Sequence, residues 1–158
     1  MPSLALYQPD IPQNAGNMLR LCACLAVEVH IIEPAGFDVS DRALKRAGMD
    51  YLAHIDPIRH LSFGDFEAWR KAEGRRLVLL TTRAAKPYAD FIFAKDDVIL
   101  VGRESAGVPD VVHEAADERL LIPMAPGLRS LNVATAAAMV LGEALRQTGG
   151  FPVPQSNS

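Results

Sequence analysis

Cysteine is scarce in this chain: Cys22 and Cys24, two residues apart, are the whole supply. On a helix that spacing points the two thiols in different directions. With no second pair, a zinc site lacks ligands, and two small buried thiols in a reducing compartment are expected. Long apolar runs are missing too. None approaches the roughly 20 residues that cross a bilayer, and the opening Met1–Asp10 has neither the basic start nor the apolar stretch of a signal peptide. A cytoplasmic location without membrane contact is the expectation. Several nucleotide and hydrolase signatures are also absent: no G-x-G-x-x-G, no G-x-x-x-x-G-K-[ST], no H-E-x-x-H and no G-x-S-x-G. His30, His54, His60 and His113 are scattered and read as ordinary surface or core residues, so no metal is expected. The net charge of −3 argues against a protein that coats nucleic acid by bulk charge, while leaving room for a local basic patch.

What is present reads as one ordinary globular domain: 158 residues, 49% hydrophobic and 22% charged. Short runs rich in Val, Ile and Leu recur at Ser3–Gln8, Val27–Glu33, Arg76–Thr82, Asp97–Gly102 and Arg119–Met124, with a further extended piece near Leu52–Ile55. They lack polar alternation, as do strands covered on both faces of a parallel sheet. Helical patterns lie between them. Over Asn14–Ala26 the stripe Met18, Leu21, Cys22 and Leu25 repeats at helical spacing, and Asn14 or Asn17 is available as a cap. Ser40 can start a helix ending at Gly48. Ser62 with Asp65 resembles a capping box for a helix reaching Glu73, Pro109 opens one reaching Ala116, and the last runs from Leu131 to Gln147, ending at Gly149. Strand and helix alternate, so the fold class is α/β, a parallel sheet with helices on both faces. Residues 1–150 form one domain and 151–158 a flexible tail. The final helix is apolar almost all round: Leu131, Ala134, Ala138, Leu141 and Leu145 on one line, Val133, Ala137, Val140 and Ala144 on another. One sheet covers one face only, so a helix-packed homodimer is expected.

Three segments rich in Gly, Pro, Asn and Ser each follow a strand, where open α/β sheets bind ligands. They are Pro12–Arg20 (PQNAGNMLR), Gly102–Pro109 (GRESAGVP) and Ile122–Asn132 (IPMAPGLRSLN). In that order they resemble the three motifs of the SPOUT superfamily of methyltransferases, and more narrowly the small tRNA wobble-position 2′-O-methyltransferases of the TrmL group. Leu6–Pro9, Ile32–Phe37, Arg46–Tyr51, Leu80–Thr82 and Glu143–Gln147 extend the similarity over nearly the whole chain. Two departures stand out. Gly-Arg-Glu-Ser-Ala-Gly107 stands where the group has Gly-Pro-Glu-Thr-Arg-Gly, and Val133-Ala-Thr-Ala136 follows Asn132 in place of Leu-Ser-Asn-Ala.

The resemblance implies a SPOUT-like fold with a C-terminal trefoil knot, S-adenosylmethionine as cofactor, and methyl transfer to the ribose 2′-hydroxyl of position 34, cytidine or modified uridine, in a tRNA anticodon loop. By that analogy Leu80, Gly102, Gly107, Ile122, Met124, Ser130 and Leu131 hold the cofactor. The same analogy assigns Arg20, Asn14, Glu104, Ser130 and Asn132 to catalysis. A guanidinium is a poor base at neutral pH, so Arg20 suits charge stabilisation at the 2′-oxygen better than proton abstraction. Glu104 can pair with Arg20 or meet the amine end of the cofactor. Arg42, Lys45 and Arg46 share a helix face and, with Arg103 and Arg129, form the expected RNA contact, joined by Tyr51 and His54. The alternatives are a 2′-O-methyltransferase for another RNA site and a non-catalytic RNA-binding factor.

Overall fold

The computed structural model describes residues 1–37, 42 and 54–156. Among them the chain runs β1 (Ser3–Tyr7), α1 (Pro12–Leu25), β2 (Val29–Ile32), β3 (Ile58–His60), α2 (Phe63–Ala72), β4 (Leu77–Leu80), β5 (Lys86–Pro87), a 3₁₀ turn (Tyr88–Asp90), β6 (Val98–Val101), α3 (Asp110–Ala115), β7 (Glu118–Leu121) and α4 (Val133–Thr148). The strands pair in parallel in the order β3-β2-β1-β6-β4-β7-β5. The chain winds outward from β1 through β2 to β3, then crosses to the other side. There β6 seats between β1 and β4, and β7 between β4 and β5.

Successive residues of each central strand feed opposite cores, as the two-residue period requires. Leu4, Leu6, Val29, Ile31, Val78, Ile99, Val101 and Leu120 meet α1 and α4 through Ala15, Met18, Leu19, Val140, Leu141 and Leu145. Ala5, Tyr7, Ile32, Leu77, Leu79, Val98 and Leu100 meet α2 and α3 through Phe66 and Val112. This two-sided cover explains why the strands show no polar alternation. The parallel α/β expectation is met. The edge strand is Ile58–His60, whereas Ile55 lies outside any strand and Leu52 outside the described residues. Ile58-Arg59-His60 has one strongly apolar residue, so its strand character comes from pairing with β2.

Two capping expectations change. The first helix begins at Pro12 with Ile11 as its N-cap, and no side chain among the described residues caps it, so Asn14 and Asn17 are not caps. Proline at the first position supplies a helical φ and lacks only an N–H that would be orphaned there. Ser62 does cap α2, accepting from the Asp65 N–H at 3.1 Å. Asn132 caps α4 through Oδ1, and Gly149 ends it at φ 67°. Cys22 is buried, which pushes its thiol up to about 12, but Cys24 is exposed, so the expectation of two buried thiols holds for Cys22 alone. The last helix starts at Val133 rather than the expected Leu131; on it Ala137, Val140, Leu141, Ala144 and Leu145 are buried within the chain, while Met139 stays 39% exposed and Leu131, just before the cap, 40%.

The scattered histidines include an unforeseen pair. His30 is fully buried, its Nδ1 2.9 Å from Nε2 of His60 and its Nε2 2.7 Å from Glu28 Oε1. A carboxylate only accepts, so His30 Nε2 carries the proton, and a neutral His30 then accepts from His60 Nε2–H. Phe66 and Trp69 pack against both rings. Burial lowers the pKa of each histidine below its ordinary 6.5, the Glu28 carboxylate and Asp65 pulling the other way. The unfolded chain therefore binds more protons below about pH 6.5, and the stability that the neutral pair contributes falls as pH drops through that value. The melting temperature is expected to fall between pH 7.5 and 5.5. His60→Gln, which keeps a donor and removes a titrating ring, is expected to flatten that slope.

Candidate active site

The chain leaves β1 toward β2 on one side, while β6 pairs with β1 on the other. Such a reversal opens a crevice outside the carboxyl ends of the strands. A pocket of about 680 Å³ sits there. Its floor is the ends of β4, β6 and β7: Leu80 to Thr82, Val101 and Gly102, Leu121 and Ile122. One wall is the turn Arg103–Val108, the other the loop from Pro123 and Met124 through Leu128 to Asn132, with Asn14 of α1 at the side. The volume falls within the range of small-molecule sites.

Backbone closeness shapes the first wall. Arg103 and Gly107 exchange N–H···O bonds of 3.1 and 2.9 Å, and Gly107 has φ +62°. A Cβ on Gly102 would stand 2.7 Å from the Gly107 carbonyl carbon, so only glycine fits. Above the turn the Arg103 guanidinium lies 5.7 Å from the Tyr7 ring centre, a cation–π distance. Asn132 ties the far loop to α1: its Oδ1 accepts from the N–H groups of Ala134 and Thr135, and its Nδ2 donates to Asn14 Oδ1 at 3.0 Å.

A pair of carboxyl groups completes the site. Both Glu104 oxygens are buried and meet no donor at hydrogen-bond distance among the described residues. Burial first, then the neighbouring Asp10 carboxylate, pushes the Glu104 carboxyl above its ordinary value, the Asn14 amide opposing them. Asp10 is held at about 2 by Glu104 and Ser105.

Every residue expected at the cofactor lines this pocket: Leu80, Gly102, Gly107, Ile122, Met124, Ser130 and Leu131. Asn14, Glu104, Asn132, Arg103 and Arg129 line it as well. Arg20 does not. It is exposed on α1, further along the helix than Asn14, and the Glu104 oxygens accept no hydrogen bond from it within the chain. Arg42 and His54 are exposed, while Lys45, Arg46 and Tyr51 lie outside the described residues. Sequence reasoning missed Asp10, Thr81 and Thr82. Their position just past a strand end was the available signal.

A ligand-sized pocket at the switch point of a doubly wound parallel sheet, walled by turns that present backbone groups, defines an α/β ligand-binding domain. The model of the SpoU rRNA Methylase family matches residues 1–142, and the chain belongs to this family of methyltransferases. A tRNA (cytidine(34)-2′-O)-methyltransferase of Beijerinckia indica is 68% identical over 94% of this chain and 92% of its own length. A solved structure from work on the 2-OH methylation of C/U34 on tRNA is 42% identical, with TM-score 0.84 over 93% of this chain and 95% of that one. The SpoU methyltransferase AviRb of Streptomyces viridochromogenes, solved with AdoMet, is 28% identical with TM-score 0.83, over 93% of this chain and 57% of that one.

Gly102→Ala is expected to displace the Arg103–Gly107 turn and cost about 1–3 kcal/mol in denaturant unfolding. Wild-type stability in that variant would show that the turn yields without penalty.

Proposed function

We propose that this protein transfers a methyl group from S-adenosylmethionine to the ribose 2′-hydroxyl of the tRNA wobble nucleotide, position 34, as a cytoplasmic homodimer. The observation that carries the reading is the convergence of the three glycine- and asparagine-rich segments on one pocket. The family's description speaks of rRNA, but the relative named for tRNA position 34 matches nearly end to end. The trefoil knot belongs to the same reading, supported by the seating of β6 and β7 between other strands.

The pocket suits the cofactor. Its volume takes a nucleoside with an amino-acid arm. Leu80, Ile122, Met124 and Leu131 offer apolar walls, and Gly102 and Gly107 bring backbone close where any side chain would intrude. The buried, unsatisfied Glu104 oxygens provide a partner for an amine or hydroxyl. When bound, S-adenosylmethionine supplies a methyl group on a positively charged sulfur, open to an oxygen nucleophile. Among the described residues no cluster of His, Cys, Asp or Glu is placed to hold a metal ion, and none of their helices is long and apolar enough to cross a membrane.

The chain's own residues then orient substrate and balance charge. In this reading Asn132 sets the ribose together with Ser130, which lines the same pocket; the ties of Asn132 to Asn14 and to the first turn of α4 support it. Arg20 stabilises negative charge developing on the 2′-oxygen. It stands outside its own chain's pocket, so in this reading a second copy, packed on the exposed side of α4 around Met139 and on Leu131 just before that helix, brings it to an active site. Arg103 and Arg129 at the pocket, with Arg42, Lys45 and Arg46, contact RNA phosphates, which position without reading sequence.

Arg20→Ala is expected to bind S-adenosylhomocysteine with wild-type heat while losing about 10²–10³ in the rate of tRNA methylation. Unchanged turnover would remove Arg20 from the chemistry, and absence of binding heat in the wild type would remove the cofactor. Replacing Arg42, Lys45 and Arg46 together with alanine is expected to weaken tRNA binding and reduce its salt dependence by roughly one unit of slope for each phosphate that is no longer neutralised. An unaltered slope would clear that patch.

A further inference from the structure

Asp10 belongs to none of the three segments and does not line the pocket, although its carboxylate stands beside Glu104. It sits in the turn after β1, half-buried, and its side chain reaches the turn after β6. Oδ1 accepts from the Glu104 backbone N–H at 3.3 Å, and Oδ2 accepts from the Ser105 hydroxyl. These bonds join the tips of two neighbouring parallel strands just past the end of their ladder, where the sheet itself no longer holds the chain.

The anchor is fixed from behind. Gly36 donates its N–H to the Pro9 carbonyl at 2.9 Å. A Cβ at Gly36 would lie 3.0 Å from Asp10 Cα and 3.1 Å from its Cβ. The loop after β2 thus packs flush against Asp10 and leaves it little freedom to retreat. Opposite, the Arg103–Gly107 turn closes on itself through its paired backbone bonds, and its Arg103 guanidinium lies over the Tyr7 ring of β1. The Asp10 side chain supplies the hydrogen bonds that fasten this turn to the turn after β1. Between them lies Glu104, its carboxyl oxygens buried without a donor and Asn14 close by.

We propose that Asp10 is a positioning residue for methyl transfer: its carboxylate clamps the turn after β6 and thereby aims the Glu104 side chain into the pocket beside Asn14. The inference rests on the methyltransferase reading above. Asp10 touches neither substrate nor cofactor and acts through Glu104 and Ser105. The charge has a second consequence. A carboxylate already committed to two donors stays ionised, and its negative charge beside Glu104 disfavours ionisation there, together with burial. Glu104 therefore holds its proton to higher pH than an ordinary carboxyl does, and in that form it can donate one hydrogen bond into the pocket and accept another.

The test compares Asp10→Ala, Asp10→Asn and Ser105→Ala with the wild type. Three readouts are used: S-adenosylhomocysteine binding by calorimetry, kcat and KM for tRNA, and the pH titration of the Glu104 carboxyl by ¹³C NMR. Asp10→Ala is expected to weaken S-adenosylhomocysteine binding and to lower kcat by about 10-fold to 100-fold, as misplacing a pocket group does. The Asn variant keeps an acceptor for the Glu104 N–H without the charge. It is expected to retain more activity than the Ala variant while the Glu104 titration moves to lower pH. Ser105→Ala loses one strap and keeps the charge, so it is expected to lower kcat with the Glu104 titration left high. Wild-type kcat and binding in Asp10→Ala, or an unmoved titration in Asp10→Asn, would overturn the proposal. Should the Ala variant not fold, the Asn and Ser105 variants decide. A wild-type protein that neither binds S-adenosylhomocysteine nor methylates tRNA would sink the methyltransferase reading instead, and the Glu104 titrations would still judge the clamp.

Discussion

The site depends on β6 being seated between β1 and β4 in a sheet that is covered on both faces. That placement brings the turn after β6 beside the turn after β1 and faces both toward the loop that follows β7. None of the three segments has an enclosed surface by itself. Each offers backbone groups and small side chains that water would solvate in isolation, and they become a pocket only by enclosing one another. Burial of Leu4, Leu6, Ile99, Leu100 and Val101 at the strand centres fixes the register, and register decides which residues emerge at the carboxyl edge. Core packing and site geometry are in this sense one constraint.

The structure buries titratable groups in two ways. His30 and His60 do not line the pocket; neutral and mutually hydrogen-bonded against Phe66 and Trp69, they hold the β2–β3 edge. Their burial costs stability once protons are abundant. Asp10 and Glu104 sit at the pocket, and there the same physics separates two carboxyl groups into an ionised one held by donors and a more neutral one held by burial. Pairs whose surroundings push them apart in this way mark functional sites more often than core.

Much of the fold was legible. The runs Ser3–Gln8, Val27–Glu33, Arg76–Thr82, Asp97–Gly102 and Arg119–Met124 each contain an observed strand, and Ser62 and Gly149 stand at observed helix ends, while the last helix starts at Val133, two residues past the expected Leu131. Such features depend on local chemistry: apolar content, turn residues, caps. The strands at Ile58–His60 and Lys86–Pro87 escaped because they are strands through their neighbours' hydrogen bonds rather than through their own side chains. Asn14 read locally as a cap, and as a site residue only through the family resemblance; its side chain instead accepts a hydrogen bond from Asn132, a partner 118 residues away.

By itself the sequence determined the class of fold and the three segments that bear the site, because two-faced burial and tight turns write their requirements into neighbouring residues. The family resemblance, too, was carried by contiguous motifs. Tertiary structure alone decided the strand order, the enclosure of the pocket, the clamp from Asp10 to Glu104 and Ser105, the His30–His60 pair, and the position of Arg20 outside its own chain's pocket. Each of these joins residues distant in the chain, and no local propensity records which of many distant partners the folded sheet brings within hydrogen-bond reach.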